Sequence, residues 1–297
     1  MRRISKKLFL GIALVVVVSV FFSCWYFNGM LSSVKNGGGG YIHFSVDDSN
    51  SIFEDITAHS DTYKSIFDNP QLQFIKSLHE KYGIVVSFYV FYSWNVEDGN
   101  FALSDCTERY RDELIANTDW LRFGFHAKDA PAYETISAED ELEYYNKTVE
   151  ELIRITGSVT CIDNFVRLDR FIATSEMVDE LKKSEEGIVG LLCADDPERQ
   201  SYSLTEQEQK VLWQNDWYSD GFMNYTPTDI RLENIEGVFD FRNRMKQTLE
   251  QKHIIVFTHE WLLTEKSVQR YMEWIAAIGK HNGLEFAFPE DMIEWAS

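Results

Sequence analysis

The chain has 297 residues, of which 44% are apolar and 14% aromatic, and its formal net charge at pH 7 is −20. This composition excludes an intrinsically disordered chain and supplies enough apolar side chains for one large folded domain. Five of the 28 basic residues and none of the 48 acidic residues precede residue 41, which leaves 23 basic residues and a net charge of −25 for the rest. A surface this acidic repels phosphate backbones, so we expect no nucleic-acid partner.

The first predicted element is a membrane segment. Within residues 1–30, four basic residues precede a nearly uncharged run over about 8–27. Twenty helical residues rise about 30 Å, which matches the hydrocarbon core of a bilayer. We predict a single-pass signal anchor with its N-terminus in the cytoplasm, because the basic flank comes first.

Residues 31–40 contain the run NGGGG and are predicted to form a flexible tether. The tether would connect the cell membrane to an extracytoplasmic domain of residues 41–297. Two alternatives stay open, namely a secreted protein after signal cleavage and a lipid-anchored protein after cleavage at Cys24. The apolar run ends in FFSCWYF, which is bulkier than the small residues of an ordinary signal-peptide cleavage site.

From Tyr41 onward, short β-prone runs alternate with amphipathic helical segments. The predicted strands are Tyr41–Val46, Ile84–Tyr92, Leu121–His126, Val159–Arg167, Ile188–Ala194, His253–Thr258 and Leu284–Phe288. The predicted helices lie within 69–83, 137–157, 175–187, 239–253 and 267–283, and several end near glycine, as C-caps do. This alternation predicts an α/β fold, a (β/α) barrel of about seven strands, with an open doubly wound sheet as the alternative.

Residues 200–235 break the alternation, because aromatic residues stand there among polar turn residues. We predict an insertion with a hairpin that overhangs the barrel mouth. Its aromatic rings would either stack against sugar rings or pack the insertion onto the barrel.

Charged and imidazole side chains follow the predicted strand ends, where β/α barrels hold their chemistry. They are Asp47, Asp48, His126, Arg167, Asp169, Asp195, Asp196, His259 and Glu260. Adjacent carboxylates at a strand end point to different sides, so one can bind a metal while the other acts as a base. Carboxylate and imidazole ligands suit zinc or another divalent transition metal, and a histidine across the mouth could donate a proton. Each residue also has a structural alternative, such as capping a turn or filling the core.

The order of these motifs resembles that of the polysaccharide deacetylases, the NodB-homology enzymes similar to carbohydrate esterase family 4. SVDDS, residues 45–49, stands where that family has T-F-D-D-G, and FGFHAKDA, residues 123–130, resembles its H-S/T-x-x-x-H region. FVRLDRF, residues 165–171, resembles the R-x-P motif, and VFTHEW, residues 256–261, resembles the closing L-x-x-H-D segment. The resemblance implies a distorted seven-stranded deacetylase-type barrel across residues 41–297.

The resemblance also implies a role for individual residues. Asp47 would be the general base, Arg167 would orient it, and His259 would be the general acid. Asp48 and His126 would be metal ligands. The implied metal is zinc, with cobalt, nickel or manganese as alternatives, and the implied substrate is a polysaccharide or cell-wall glycan.

Several positions depart from the family motifs. Ala130 stands where the family has its second metal-binding histidine, and Asp129 is the nearest substitute ligand, with Glu134 another. Ser49 replaces the motif glycine and Asp169 replaces the motif proline. The candidate substrate-binding residues are Trp261, Asp195 and Glu260, and Glu260 is also expected to tune His259.

Three functions follow from this sequence. The first is a membrane-anchored, metal-dependent hydrolase that removes N-acetyl or O-acetyl groups from a glycan. The second is a barrel that has lost its chemistry and binds a surface glycan or a partner protein, which Ala130 motivates. The third is a glycoside hydrolase that uses paired carboxylates, for example Asp47 with Glu260.

Overall fold

The computed structural model describes residues 40–96, 99–130, 136–251 and 253–293. The predicted anchor, and the predicted tether apart from Gly40, lie outside the described residues. Within those four ranges, no helix is both long enough and apolar enough to cross a bilayer.

Most of the strands are parallel and short. Their bounds are β1 Tyr41–Asp47, β2 Val86–Phe91, β3 Ser93–Val96, β4 Gly99–Ala102, β5 Leu121–Ala127, β6 Phe165–Val166, β7 Gly190–Leu192, β8 Tyr218–Ser219, β9 Asn224–Thr226, β10 Ile230–Arg231, β11 His253–His259 and β12 Glu285–Phe286.

The helices connect these strands. Their bounds are α1 Asn50–Ala58, α2 Pro70–Tyr82, α3 Arg111–Ile115, α4 Ala138–Thr156, α5 Ser175–Lys182, α6 Glu206–Asn215, α7 Val238–Thr248 and α8 Lys266–His281. The caps of α2 and α4 follow local chemistry: the Asn69 and Ser137 side chains accept hydrogen bonds from first-turn amides. Both helices end on a glycine with positive φ, at Gly83 and Gly157.

The order in which the parallel strands pair describes a barrel-like layer. β1 pairs with β11 on one side and β2 on the other, β2 pairs with β5, and β10 pairs with β11. A bridge from Phe123 to Ile162 leads from β5 toward β6, and β6, β7 and β9 pair in turn. Three residues separate β9 from β10, so the two act as one bent strand, which gives seven positions around a barrel-like layer. The predicted α/β class with parallel strands is confirmed.

The strand β1 shows why this layer is buried on both sides. Its alternating residues put Ile42, Phe44 and Val46 on one face, and none of the three is more than 1% exposed. The other face carries His43, Ser45 and Asp47, which are also buried. β1 therefore has an apolar face and a polar face, and the polar face ends on Asp47.

Several predicted boundaries differ from the structure. The predicted strand Val159–Arg167 begins with a 3₁₀ turn at Val159–Cys161, and only β6 remains of it. The region 200–235 contains a β8–β9 hairpin, as predicted, but β9 and β10 pair with β7 and β11 in the parallel sheets. Part of the predicted insertion is therefore barrel wall. The last predicted strand shortens to β12, which pairs only with the first two residues of β1.

Candidate active site

The centre of the site is a buried ion pair. Arg167, which follows β6, is 1% exposed, and its Nη1 donates hydrogen bonds to Asp47 Oδ1 at 2.9 Å and Ser45 Oγ at 2.8 Å. Its Nη2 donates to Thr228 Oγ1 at 3.0 Å, and its guanidinium lies 4.3 Å from the centroid of the Phe257 ring. The Asp47 carboxylate is therefore held in one orientation by Arg167.

Asp48 points to a different side of the strand end because its backbone has φ 55°. That left-handed conformation is uncommon outside glycine, and aspartate tolerates it better than most residues do. Asp48 Oδ1 lies 3.1 Å from His126 Nε2. Burial opposes ionisation of Asp48, but His126 outweighs it and holds the pKa of Asp48 below its ordinary value.

His126 ends β5 and has one defined tautomer when neutral. Its Nδ1 contacts the Arg167 carbonyl oxygen, which can only accept, so Nδ1 carries the proton. Nε2 is then the atom that faces Asp48. Burial would lower the pKa of His126, but the carboxylates of Asp47, Asp48 and Asp169 overcome it and raise the pKa to about 9.

Asp169 also reaches this point. Its Oδ1 lies 3.8 Å from His126 Nε2, and its Oδ2 lies 3.7 Å from Arg170 Nε. Burial raises the pKa of Asp169, and His126 acts against that rise. Arg170 and Phe171 both have positive φ, so the chain turns sharply directly after Asp169.

His259 stands across from Asp47, since the two are register partners in β11 and β1. His259 Nδ1 donates a hydrogen bond to Glu233 Oε1 at 2.6 Å, which leaves its Nε2 available. Trp261, 53% exposed, stacks on the His259 ring at a centroid separation of 4.4 Å. The His259 imidazole is thus oriented by the Glu233 carboxylate and stacked against an exposed indole ring. It could donate a proton beside a sugar ring bound to Trp261.

Glu260 differs from its expected role. Its side chain is 2% exposed, and its carboxylate accepts hydrogen bonds from Ser51 Oγ and Gln71 Nε2. The partner of His259 is Glu233, which the sequence reasoning missed because it lies in the region predicted as an insertion. The burial of Glu260 argues against the predicted contact with substrate. Its hydrogen bonds to Ser51 and Gln71 instead join the end of β11 to α1 and α2.

Asp195 follows β7 and accepts a hydrogen bond from Asn234 Nδ2 at 3.0 Å. It is partly exposed beside the turn that carries Glu233. Its role in binding substrate stays a prediction.

The donor set at His126 fits a divalent metal in its chemistry. Across the described ranges, no group of three or more His, Cys, Asp or Glu side chains is already gathered as a metal site. However, Asp48 Oδ1 and Asp169 Oδ2 are buried and accept no hydrogen bond from any described residue. Buried carboxylate oxygens without donors, beside an imidazole nitrogen, are the atoms that zinc and similar cations bind. Asp129 is partly exposed and Ala130 is exposed, whereas Glu134 lies outside the described residues.

No family model matches the sequence, and neither does any curated protein. A solved structure described as a polysaccharide deacetylase from Mycobacterium smegmatis is 10% identical, with 88% of this chain and 92% of that chain covered and a TM-score of 0.53. Another solved structure described as a polysaccharide deacetylase, from Pseudomonas aeruginosa PAO1, is 11% identical. The match covers 85% of this chain and 89% of that chain, with a TM-score of 0.50.

A 4-alpha-glucanotransferase from Thermococcus litoralis is 15% identical, with 86% of this chain but 40% of that chain covered and a TM-score of 0.51. Such low identities show the fold alone. The predicted resemblance to the polysaccharide deacetylases is thereby confirmed in the fold. Because a glucanotransferase shares the fold, the reaction has to be argued from the site.

Proposed function

We propose that residues 41–297 form a metal-dependent deacetylase that removes acetyl groups from an extracytoplasmic polysaccharide or cell-wall glycan. The observation that carries this proposal is the meeting of a base and an acid at one place: Asp47, held by Arg167, is the cross-strand partner of His259, held by Glu233. Residues 8–27 would anchor the chain in the cell membrane.

The residues have separate tasks in this reaction. Asp47 would accept a proton from the attacking water, and the Arg167 guanidinium would keep the carboxylate in place. His259 Nε2 would give a proton to the departing amine, since Nδ1 is engaged by Glu233. Trp261 would support a sugar ring on its exposed face.

Asp48 Oδ1 and His126 Nε2 would hold the metal. A divalent cation bound there would activate water and polarise the acetyl carbonyl group. The Arg167 carbonyl fixes the His126 tautomer that presents Nε2, a common outer-shell arrangement for metal-binding histidine.

The test is acetate release from N-acetylglucosamine oligomers by the full-length protein supplied with zinc. Asp47→Asn should lower the rate by at least about 100-fold, the contribution typical of a general base. His126→Ala should abolish both zinc binding and release, whereas His59→Ala, at a half-exposed surface histidine, should change neither. Release that survives Asp47→Asn, His126→Ala or chelation would contradict the proposal.

A second candidate is a barrel that binds glycan without turnover, and Ala130 favours it. Glycan binding without zinc, and with no acetate release, would support that function. The glycoside hydrolase alternative is less well supported, because Asp47 is bound to Arg167 and Glu260 is buried against Ser51 and Gln71.

A further inference from the structure

The geometry points to Asp169 as the third protein ligand of the metal, in place of the histidine that Ala130 lacks. This inference rests on the proposed function, and it concerns a residue that the sequence motifs gave no role. It also competes with Asp129, the substitute expected from sequence.

The first argument is distance. His126 Nε2 lies 3.1 Å from Asp48 Oδ1 and 3.8 Å from Asp169 Oδ1. Around a tetrahedral zinc ion with bonds of about 2.0 Å, ligand atoms are about 3.3 Å apart. The two observed distances lie on either side of that value, so a small turn of the Asp169 carboxylate brings it into range.

The second argument is direction. His126 Nε2 and Asp48 Oδ1 are close enough for a hydrogen bond, yet Oδ1 accepts none from the described residues. In the neutral tautomer that the Arg167 carbonyl selects, Nε2 carries no proton, so two electron-pair donors lie 3.1 Å apart, as two ligands of one cation do. Asp169 Oδ2 is likewise buried and accepts no hydrogen bond from the described residues, and Arg170 Nε is 3.7 Å away.

The third argument joins two departures from the family motifs. Ala130 loses an imidazole, and Asp169 gains a carboxylate at a position where proline offers no ligand atom. The Arg170 side chain links the two segments, because its Nη2 donates a hydrogen bond of 3.5 Å to the Ala130 carbonyl oxygen. The ligand set would then change from one carboxylate with two imidazoles to two carboxylates with one.

The experiment measures zinc binding by calorimetry and the visible absorption of bound cobalt(II), using the full-length chain. Asp169→Asn should weaken zinc binding by at least about 100-fold, which exceeds the roughly 10- to 100-fold cost of losing an outer-shell partner. It should also change the cobalt absorption, because the spectrum reports the ligand atoms. Asp129→Asn tests the competing ligand and should leave both unchanged.

A rescue variant separates ligation from folding. Ala130→His in the Asp169→Asn background supplies the missing imidazole and should restore zinc affinity. Circular dichroism of each variant without metal should match the parent chain. If Asp129→Asn weakens zinc binding and Asp169→Asn does not, Asp129 is the ligand and the inference is overturned.

Failure of the inference and failure of the proposed function can be distinguished. Zinc-dependent acetate release that is unaffected by Asp169→Asn overturns the inference while the proposed function stands. Zinc binding that requires Asp169, without acetate release, supports the inference while the proposed function fails. A wild-type chain that binds no zinc overturns the inference.

Discussion

The imidazole of His259 is oriented by a residue that is distant in sequence. Glu233 lies just after β10, and its Oε1 accepts a hydrogen bond from His259 Nδ1 at 2.6 Å. Its other oxygen, Oε2, accepts a hydrogen bond from Thr258 Oγ1 at 3.2 Å. Burial opposes ionisation of Glu233, but the His259 contact outweighs it and lowers the pKa of Glu233. Glu233 is therefore a charged positioning residue for the proposed proton donor.

Glu233→Gln should lower kcat for acetate release by at least about tenfold, because an amide no longer fixes which His259 nitrogen carries the proton. The nitrogen-15 NMR signals of His259 should show a mixture of tautomers, a change that a merely structural role would not cause. Glu236→Gln, at an exposed carboxylate nearby, should affect neither measurement. An unchanged tautomer in Glu233→Gln would contradict this role.

At the level of residues, the sequence predicted the strand-end set but not its pairings. Asp47, Asp48, His126, Arg167 and His259 are candidates in the sequence because carboxylates, imidazoles and a guanidinium at strand ends are a local signal, and the structure brings them together. Which carboxylate meets which imidazole depends on strand order. Glu233 and the Asp169 contact with His126 could not be read from spacing, since no sequence interval encodes a distance across the barrel.

At the level of elements, the long strands and the capped helices were predictable. β1, β5 and β11 have seven residues each. Because these strands are buried, their sequences are long apolar runs that can be recognised. β6 and β10 have two residues each and β9 has three, too few for any alternation to be recognised. These short strands are fixed by their neighbours in the sheet, so the barrel wall between β7 and β11 resembles an insertion in the sequence.

The strand β7, which has three residues, depends on a glycine. A Cβ on Gly190 of β7 would lie 2.1 Å from the Phe165 ring of β6, whereas a Cβ on Gly279 of α8 would meet no atom closer than 3.3 Å. Gly190→Ala should therefore lower the free energy of unfolding by about 1–3 kcal/mol or more through overpacking. Gly279→Ala, the control, should change it by less than about 1 kcal/mol. Urea unfolding followed by tryptophan fluorescence measures both, and equal effects would contradict the expected clash.

At the level of the whole molecule, the acidic composition extends into the interior. Asp216 Oδ2 accepts a hydrogen bond from the His253 amide at 3.2 Å, and Asp229 Oδ2 accepts one from the Ile255 amide at 2.7 Å. Burial raises the pKa of Asp216 from 3.8 to about 7 and that of Asp229 well above its ordinary value. At β11, far along the strand from His259, the fold therefore contains carboxyl groups that prefer to keep a proton.

Because the pKa of Asp216 is higher in the folded chain, the folded state retains a proton that the unfolded state releases between about pH 4 and pH 7. Because of this group, the free energy of unfolding of the protein falls as the pH rises through that window. In wild type, the free energy of unfolding should be lower at pH 8 than at pH 5 because of this group. Asp216→Asn should reduce that difference in free energy by on the order of 1–3 kcal/mol. Asparagine also tolerates the positive φ of this position.

Urea unfolding at the two pH values measures the effect of Asp216→Asn. Asp196→Asn, at an exposed aspartate, is the control and should leave the wild-type pH dependence intact. The same pH dependence in wild type and Asp216→Asn would show that Asp216 ionises freely in the fold.

The burial of Arg167 affects how sequence motifs of this kind should be interpreted. A guanidinium that is 1% exposed and bound to Asp47, Ser45 and Thr228 is part of the core as well as of the site. Removing one partner of such a pair leaves an unpaired charge inside the protein, which costs about 3–5 kcal/mol. Selection for folding alone would therefore keep Asp47 and Arg167 in a descendant that had lost its activity. The less buried His259 and Trp261 would therefore be more informative than Asp47 and Arg167 about whether a chain with these motifs is active.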